Sequence, residues 1–292
     1  MPRRGLPPGP AALAFAALLA GCREGSTPAA SLSFTPAAVR LAYPQSAAVK
    51  LSWRPARELD RLHGKPLVFV HLLDRAEGTS TVLRTFDHAL PQAWAAGKPQ
   101  DYELDLYQSA LAEPLPPGRY VLSLGLYDDS WGYRWPLQTG GPEAARREYR
   151  VATVEVSGAD PSAPKFSFSA GWRETEAVPT RQVLAHRCLS GPASLLIGEI
   201  RAAGTLRLLW TIPGQPRIAF ASTCEEGRRE TLAIGQTWVS VRVPADMAGG
   251  RCELRVEPEQ PPAGAAMAPA PAACLEVLAW RPDARAATGD KP

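Results

Sequence analysis

Asparagine is absent from this chain of 292 residues, methionine occurs three times, and no cysteine lies between Cys22 and Cys188. Without asparagine there are no Asn-Gly hairpin turns, so glycine, aspartate and proline must carry the reversals. The charge balance is equally plain: a formal net charge of +3, falling nearer neutrality once Arg3 and Arg4 are set aside. That excludes the concentrated basic face on which nucleic-acid binding depends. Also missing are a Gly-x-Ser-x-Gly nucleophile elbow, a glycine-rich phosphate loop and any closely spaced cysteine pair. These gaps argue against a hydrolase, a nucleotide enzyme and a zinc site, so neither cofactor nor metal is expected. No long amphipathic helix can be read anywhere along the chain.

What is present begins at the amino terminus. Arg3 and Arg4 precede the apolar run Ala11 to Gly21, which is too short to span a bilayer, and the run closes on Leu19-Ala20-Gly21-Cys22. This is the pattern of a lipoprotein signal peptide (residues 1–21), with Cys22 the diacylated first residue of the mature chain. Two acyl chains suffice for stable anchoring where one is marginal. Membrane contact through the lipid on Cys22 is therefore expected. Arg23 follows the cysteine where an aspartate would signal inner-membrane retention, so the outer membrane is favoured.

The remaining length suits two domains. Residues 22–31 read as a lipidated tether, 32–156 as one domain, 157–165 as a linker, 166–282 as a second domain and 283–292 as a frayed tail. Both domains read as all-β. Val49, Leu51 and Trp53 share one strand face, as do Tyr120, Leu122, Leu124 and Leu126, while Pro66 to Leu73 is nearly continuous apolar. The second domain repeats the style in Leu206, Leu208 and Trp210, in Val239, Val241 and Val243, and in Leu275, Val277 and Ala279. Period-two segments broken by Pro, Gly and Asp predict two tandem antiparallel β-sandwiches, the first immunoglobulin-like and the second jelly-roll-like. Leu104 to Leu111 and Pro91 to Ala96 could form single helical turns at most. Glu257 to Ala272, rich in proline and alanine, reads as a loop.

Cys188, Cys224, Cys252 and Cys274 all lie in the second domain, and in an exported protein an even count implies two disulfides. Three connectivities are open. Sequential pairing, Cys188–Cys224 with Cys252–Cys274, closes the shortest loops and is preferred.

Val68 to Asp74 (VFVHLLD), with Gly78, Asp87, Pro91, Trp94, Gly97 and Asp101, leads to Pro116-Pro117-Gly118-Arg119-Tyr120 and Gly125-Leu126-Tyr127-Asp128. On these residues the first domain resembles accessory β-sandwich domains at the extracytoplasmic end of bacterial membrane sugar transferases. Gly171-Trp172 followed by Glu174 or Glu176 resembles the opening of their companion domain, although Arg187-Cys188 stands where that family has Arg-Trp. The resemblance implies a non-catalytic sandwich in glycan-handling envelope machinery. No transferase segment accompanies the match in this sequence, so the glycan link is by analogy.

Two groups of residues could carry chemistry. His71, Asp74, Asp87, His88 and Asp101 are of the types that metal or acid–base sites use, but His71 reads better as a hydrogen-bonded core histidine and Asp74 as a turn residue. Trp131, Tyr133 and Trp135 alternate beside Asp128 and Asp129, a pattern suited to stacking on sugars and also to stapling a hairpin. If they bind sugar, Trp131 and Trp135 should be exposed together in a concave site. Gly171-Trp172 reads as a core tryptophan opening a strand. The expectation is a non-catalytic, lipid-anchored envelope protein that binds a polysaccharide or its assembly machinery. The alternatives are a scaffold for another envelope protein and, more distantly, an envelope enzyme.

Overall fold

The computed structural model describes residues 27–74, 81–178, 184–214, 217–245, 247, 250–259 and 273–283. Cys22, the signal peptide and most of the Pro/Ala-rich loop and tail lie outside them. The described residues form no α-helix, and their regular structure is β-sheet apart from a 3₁₀ turn at Gly250. In the first half run β1 Ala30–Thr35, β2 Ala38–Tyr43, β3 Ser46–Pro55, β4 Pro66–Leu73, β5 Val82–Thr85, β6 His88–Ala89 and β7 Gln100–Tyr107. They are followed by β8 Gly118–Asp128, β9 Arg134–Trp135, β10 Leu137–Gln138, β11 Glu143–Ala145 and β12 Glu148–Ala159. The second half contains β13 Lys165–Phe168, β14 Trp172–Ala177, β15 Ala185–Leu189, β16 Ala193–Gly198 and β17 Gly204–Ile212. It closes with β18 Ile218–Ser222, β19 Arg229–Leu232, β20 Gly235–Val243, β21 Cys252–Pro258 and β22 Cys274–Pro282.

A four-stranded sheet ordered β10-β1-β3-β7 faces an eight-stranded one built on β11-β12-β8-β4-β5. The alternation read from the sequence explains the core between them. Leu51, Trp53, Val68, Val70, Leu122, Leu124 and Leu126 are essentially inaccessible, while Lys50 on the opposite face of β3 is exposed. Each such Leu or Val contributes roughly 1.5–3 kcal/mol on burial. β4 is apolar on both faces because its outer face is also covered. Phe69 packs there over Gly125, where a Cβ would meet the ring at 2.2 Å, and the Arg134 guanidinium lies 4.3 Å above the same ring. Leu104 to Tyr107 are strand rather than a helical turn, because Asp101 to Tyr107 alternate in register with β3. The boundaries also differ from expectation. Ala29 and Ala30 are already fully buried, and β12 runs on to Ala159.

In the second half, two five-stranded sheets, β13-β16-β21-β18-β19 and β14-β15-β22-β17-β20, enclose Ile197, Leu206, Leu208, Phe220, Val241 and Trp280. Trp172 opens β14 inside this core, its indole N–H donating to Ser194 O at 2.9 Å, as the core reading predicted. The disulfides join Cys188 to Cys274 and Cys224 to Cys252, not the sequential partners. Topology decides this. Cys188 and Cys274 face each other on β15 and β22 of one sheet, and Cys224 and Cys252 adjoin the paired strands β18 and β21 of the other. Sequential pairing would have to cross between sheets.

The last strand also departs from simple alternation. A bulge leaves Glu276 without a partner on β17: Trp210 pairs with Leu275 and Leu209 with Val277. The phase flips there. Leu275, Leu278 and Trp280 enter the core, while Val277 and Ala279 turn to the opposite face with Leu209, buried beside Tyr107 of the first half.

That face is the joint between the halves. β15 pairs with β22 only at Cys274 and Leu275, and first-half backbone continues the edge. Ala110 N–H donates to Leu278 O at 2.7 Å, Trp280 N–H to Pro44 O at 2.8 Å, and Leu278 N–H to Ser109 Oγ at 3.1 Å. Leu111 joins the second core. The connecting turn is pinned as well: Asp160 N–H donates to Tyr43 O at 2.7 Å, and Gln45 Nε2 to Asp160 Oδ2 at 2.5 Å. Buried Asp105 on β7 then receives Arg207 Nε at 2.5 Å and Arg281 Nη2. Replacing Asp105 by Ala leaves two half-buried guanidinium groups without their shared carboxylate, and should cost roughly 3–5 kcal/mol in urea unfolding. Loss below about 1 kcal/mol would show that the ion pairs do not hold the joint.

Candidate functional site

Beside the joint, β7 of the first half and β17, β20 and β22 of the second leave a cleft of about 490 Å³. Strand alternation populates it. Core residues Val239 and Val241 point inward on β20, so Gln236 and Trp238 point outward, and the same logic presents Arg207 from β17 and Glu103, Asp105 and Tyr107 from β7. Trp238 is 39% exposed, a large ring left facing solvent. Tyr107 meets it edge-on at 5.7 Å and the Arg207 guanidinium lies 5.1 Å over it, so the ring is held in place before any ligand arrives. Arg207 also donates to Ser240 Oγ. Burial raises the Tyr107 hydroxyl well above the ordinary phenol range, with nearby Glu276 adding to the effect. This hydroxyl stays protonated.

At the other wall, a relay is closed on itself. Trp53 Nε1–H donates to Tyr102 Oη at 3.3 Å, and the Tyr102 hydroxyl lies 2.7 Å from His88 Nε2, with His88 Nδ1 2.9 Å from Phe86 O. Burial holds His88 below its ordinary pKa, so the ring is neutral, with Nδ1–H donating to Phe86 and Nε2 accepting from Tyr102. Both nitrogens are thereby occupied. Asp105 is engaged by two arginines. The cleft thus offers an aromatic platform and a rim of hydrogen-bonding groups, an arrangement suited to recognition.

The residues singled out from sequence are distributed differently. His71 lies on the outer face of β4 beside Phe69, partly buried and not in the core, in a polar network: its Nδ1 lies 3.1 Å from Glu148 Oε1 and its Nε2 lies 3.9 Å from Asp87. Glu148 also receives the Ser123 hydroxyl at 2.6 Å and Arg134 Nη1 at 3.2 Å. His88 and Asp101 are not part of this network, since Asp101 pairs with Arg54 at 2.9 Å across β3 and β7. Asp74 follows β4, its N–H donating to Thr81 O at 2.9 Å.

The aromatic trio does not form one surface. Trp131 is 72% exposed and stacks on His63 at 4.3 Å, but Trp135 is fully buried with its indole N–H on Asp60 O at 2.9 Å. Tyr133 sits between them in exposure, edge-on to Trp135 at 5.5 Å. Asp128 is buried and accepts the N–H groups of His63, Gly64, Ser130 and Trp131. Burial pushes its pKa up, but the four donors outweigh that and hold it below the usual carboxylate range. Asp129 accepts Lys65 N–H at 2.6 Å. These two aspartates shape the loops, and the expectation that they read sugar hydroxyls beside paired exposed tryptophans is corrected. Trp135 is inside because β9 folds back on β8 and carries it under the sheet end.

The chain matches no known protein-family model and no curated protein sequence.

Among the described residues, one grouping of ligand-type side chains is tight enough for a single ion: His186, Cys188 and Cys274. Its two sulfurs are bonded to each other, which removes them as thiolate ligands. A second concavity, about 630 Å³ over β18, β19 and β21, is lined by Arg228, Arg229, Arg255, Glu230 and Glu257 and has no exposed aromatic ring.

Glu148 yields a pH prediction. Burial raises its pKa, but His71, Ser123 and Arg134 overcome this and bring it from 4.5 to about 2. A depressed carboxylate stabilises the fold fully above its unfolded pKa, and the contribution disappears as pH falls through the folded value. Wild type should therefore lose about 3 kcal/mol between roughly pH 5 and pH 2 through this group. Glu148→Gln should start less stable at pH 7 and show a flatter acid limb. Parallel acid limbs in urea titrations at several pH values would refute this.

Proposed function

We propose that the chain is an exported, lipid-anchored, non-catalytic binding protein of the cell envelope, and that its ligand is a polysaccharide segment held in the cleft at Trp238. The observation that carries this is the exposed Trp238 ring, steadied by Tyr107 and Arg207 and flanked by Gln236, Glu103 and Asp105. Sugar rings present apolar faces to such a platform and hydroxyls to such a rim. The lipobox ending at Cys22 supports the address, and the resemblance to accessory domains of sugar transferases supports the ligand class.

Two details favour the finer fold reading. The Tyr120 hydroxyl donates to Pro116 O at 2.7 Å, the tyrosine corner that pins Greek-key crossings in immunoglobulin-like sandwiches. In the second half, consecutive strands switch repeatedly between the two five-stranded sheets, in keeping with a jelly roll. A scaffold role is the second reading, favoured by β14, an edge strand exposed from Arg173 to Ala177.

The test is calorimetric titration of the mature chain, carrying Cys22→Ser, with neutral and acidic envelope polysaccharides. Trp238→Ala should weaken binding at least about tenfold, the scale of one lost ring-stacking contact, while Trp131→Ala leaves it unchanged. Equal binding by Trp238→Ala sinks the cleft assignment. No saccharide bound by wild type, together with one protein co-purifying, leaves the scaffold.

A further inference from the structure

Apart from the cleft, exposed aromatic and cationic groups gather at the end of the first half where the described chain begins. Thr27 O accepts Arg57 Nε at 3.3 Å, and Ala29 N–H donates to Pro136 O at 2.8 Å beside buried Trp135. Cys22 is five residues further back, a reach of at most about 17 Å. The loops at this end, residues 60–65 and 129–133, carry Leu62 at 41% and Trp131 at 72% exposure, with His63 stacked on Trp131.

Next to them is a cavity of about 300 Å³ lined by Gly132, Tyr133, Arg134, Arg146 and Arg147, with no acid in its wall. Arg61 and Arg147 both lie over the Tyr133 ring, their guanidinium carbons 5.2 Å and 5.0 Å from its centre. Both adopt positive φ, 57° and 54°, a conformation costly for arginine that brings the two groups to one ring. Arg147 Nη1 donates to Arg134 O, and Arg134 Nη1 to Arg146 O, so backbone carbonyls hold the cradle. The acids nearby are already engaged. Asp60 pairs with Arg57, Asp129 accepts Lys65 N–H, Glu143 accepts Arg147 N–H and Glu148 is buried on His71 and Ser123. Among the described residues, Arg61 and Arg146 make no ion pair.

We infer that this end docks on an anionic phospholipid surface: the arginine cradle takes headgroup phosphates while Trp131 and Leu62 enter the interface. Guanidinium groups match phosphate oxygens in forked pairs, and tryptophan favours the headgroup level of a bilayer. The inference rests on the Cys22 anchor reading for its biological setting, since a lipid on Cys22 holds this end, and no other, within reach of the membrane. Docking would set the orientation in which the cleft is presented.

The test uses the mature chain with Cys22→Ser, so that no lipid contributes. Co-sedimentation is measured with vesicles of phosphatidylcholine alone and of phosphatidylcholine with phosphatidylglycerol, at low and physiological salt. Binding to the anionic vesicles is expected, weakening with salt, and falling at least about tenfold in Arg61→Gln/Arg146→Gln. Trp131→Ala should also weaken it, and bromine-labelled lipid should quench wild-type fluorescence more than that of Trp131→Phe. Equal sedimentation of wild type and the double variant overturns the proposal, as does binding of inorganic phosphate at the cradle without vesicle binding. Failure of the anchor reading is separately visible, because native chain extracted from membranes would then carry no acyl mass on Cys22.

Discussion

Everything about the relation of the two sandwiches depends on one strand, β22. Its inner edge pairs with β17 over nearly its full length, and its outer edge is shared between β15 and backbone from the first half. The hydrogen bonds from Ala110 and to Pro44 and Ser109 make the first sandwich part of the second sheet. A sheet edge left open costs its unpaired backbone groups their partners, so separation of the halves would expose those groups as well as Leu209, Val277 and Ala279. Asp105 adds the electrostatic half of the joint. Two guanidinium groups converge on one carboxylate of low exposure, and the geometry that satisfies them also places Trp238 against Tyr107.

The cleft is therefore a product of the joint. Its aromatic platform comes from β20 and its partner ring from β7, so neither half alone contains it. The closed relay through Trp53, Tyr102 and His88 stiffens one wall, and the buried pair of Asp105 with its arginines stiffens the other. Side chains held in this way would lose little freedom to a ligand that entered the cleft. The outer face of the large sheet obeys a related logic. Phe69 fills the space over Gly125, Arg134 covers Phe69, and the same arginine reaches Glu148, so that packing and charge satisfaction are achieved by one side chain.

Much of the fold was legible because strands advertise their faces. Leu122, Leu124 and Leu126, or Leu206, Leu208 and Trp210, could be assigned to cores from spacing alone. The hydrogen bond from the Tyr120 hydroxyl to Pro116 O was not read from the sequence, where Pro116 to Tyr120 served only as part of a motif. His71 was rightly read as hydrogen-bonded, through Glu148, but it lies on the outer face of β4 beside Phe69 and not in the core. What spacing could not show was any relation between distant segments. The cysteine pairing follows from which strands are neighbours, and loop length carries no information about that. Trp135 reads as the continuation of an alternating aromatic series until β9 folds beneath the sheet. Trp238 had a faint signal, a tryptophan at an outward position of β20, yet its partner Tyr107 lies far away in sequence.

The sequence by itself thus determined the class of structure, the number of disulfides and the core faces of most strands. These are local properties, set by alternation, composition and short motifs whose physics operates within a few residues. Only the tertiary structure decided the disulfide partners, the bulge at Glu276, the joint along β22 and the cleft it creates. Each of these depends on which strand edges meet, and that is settled by packing two complete cores together.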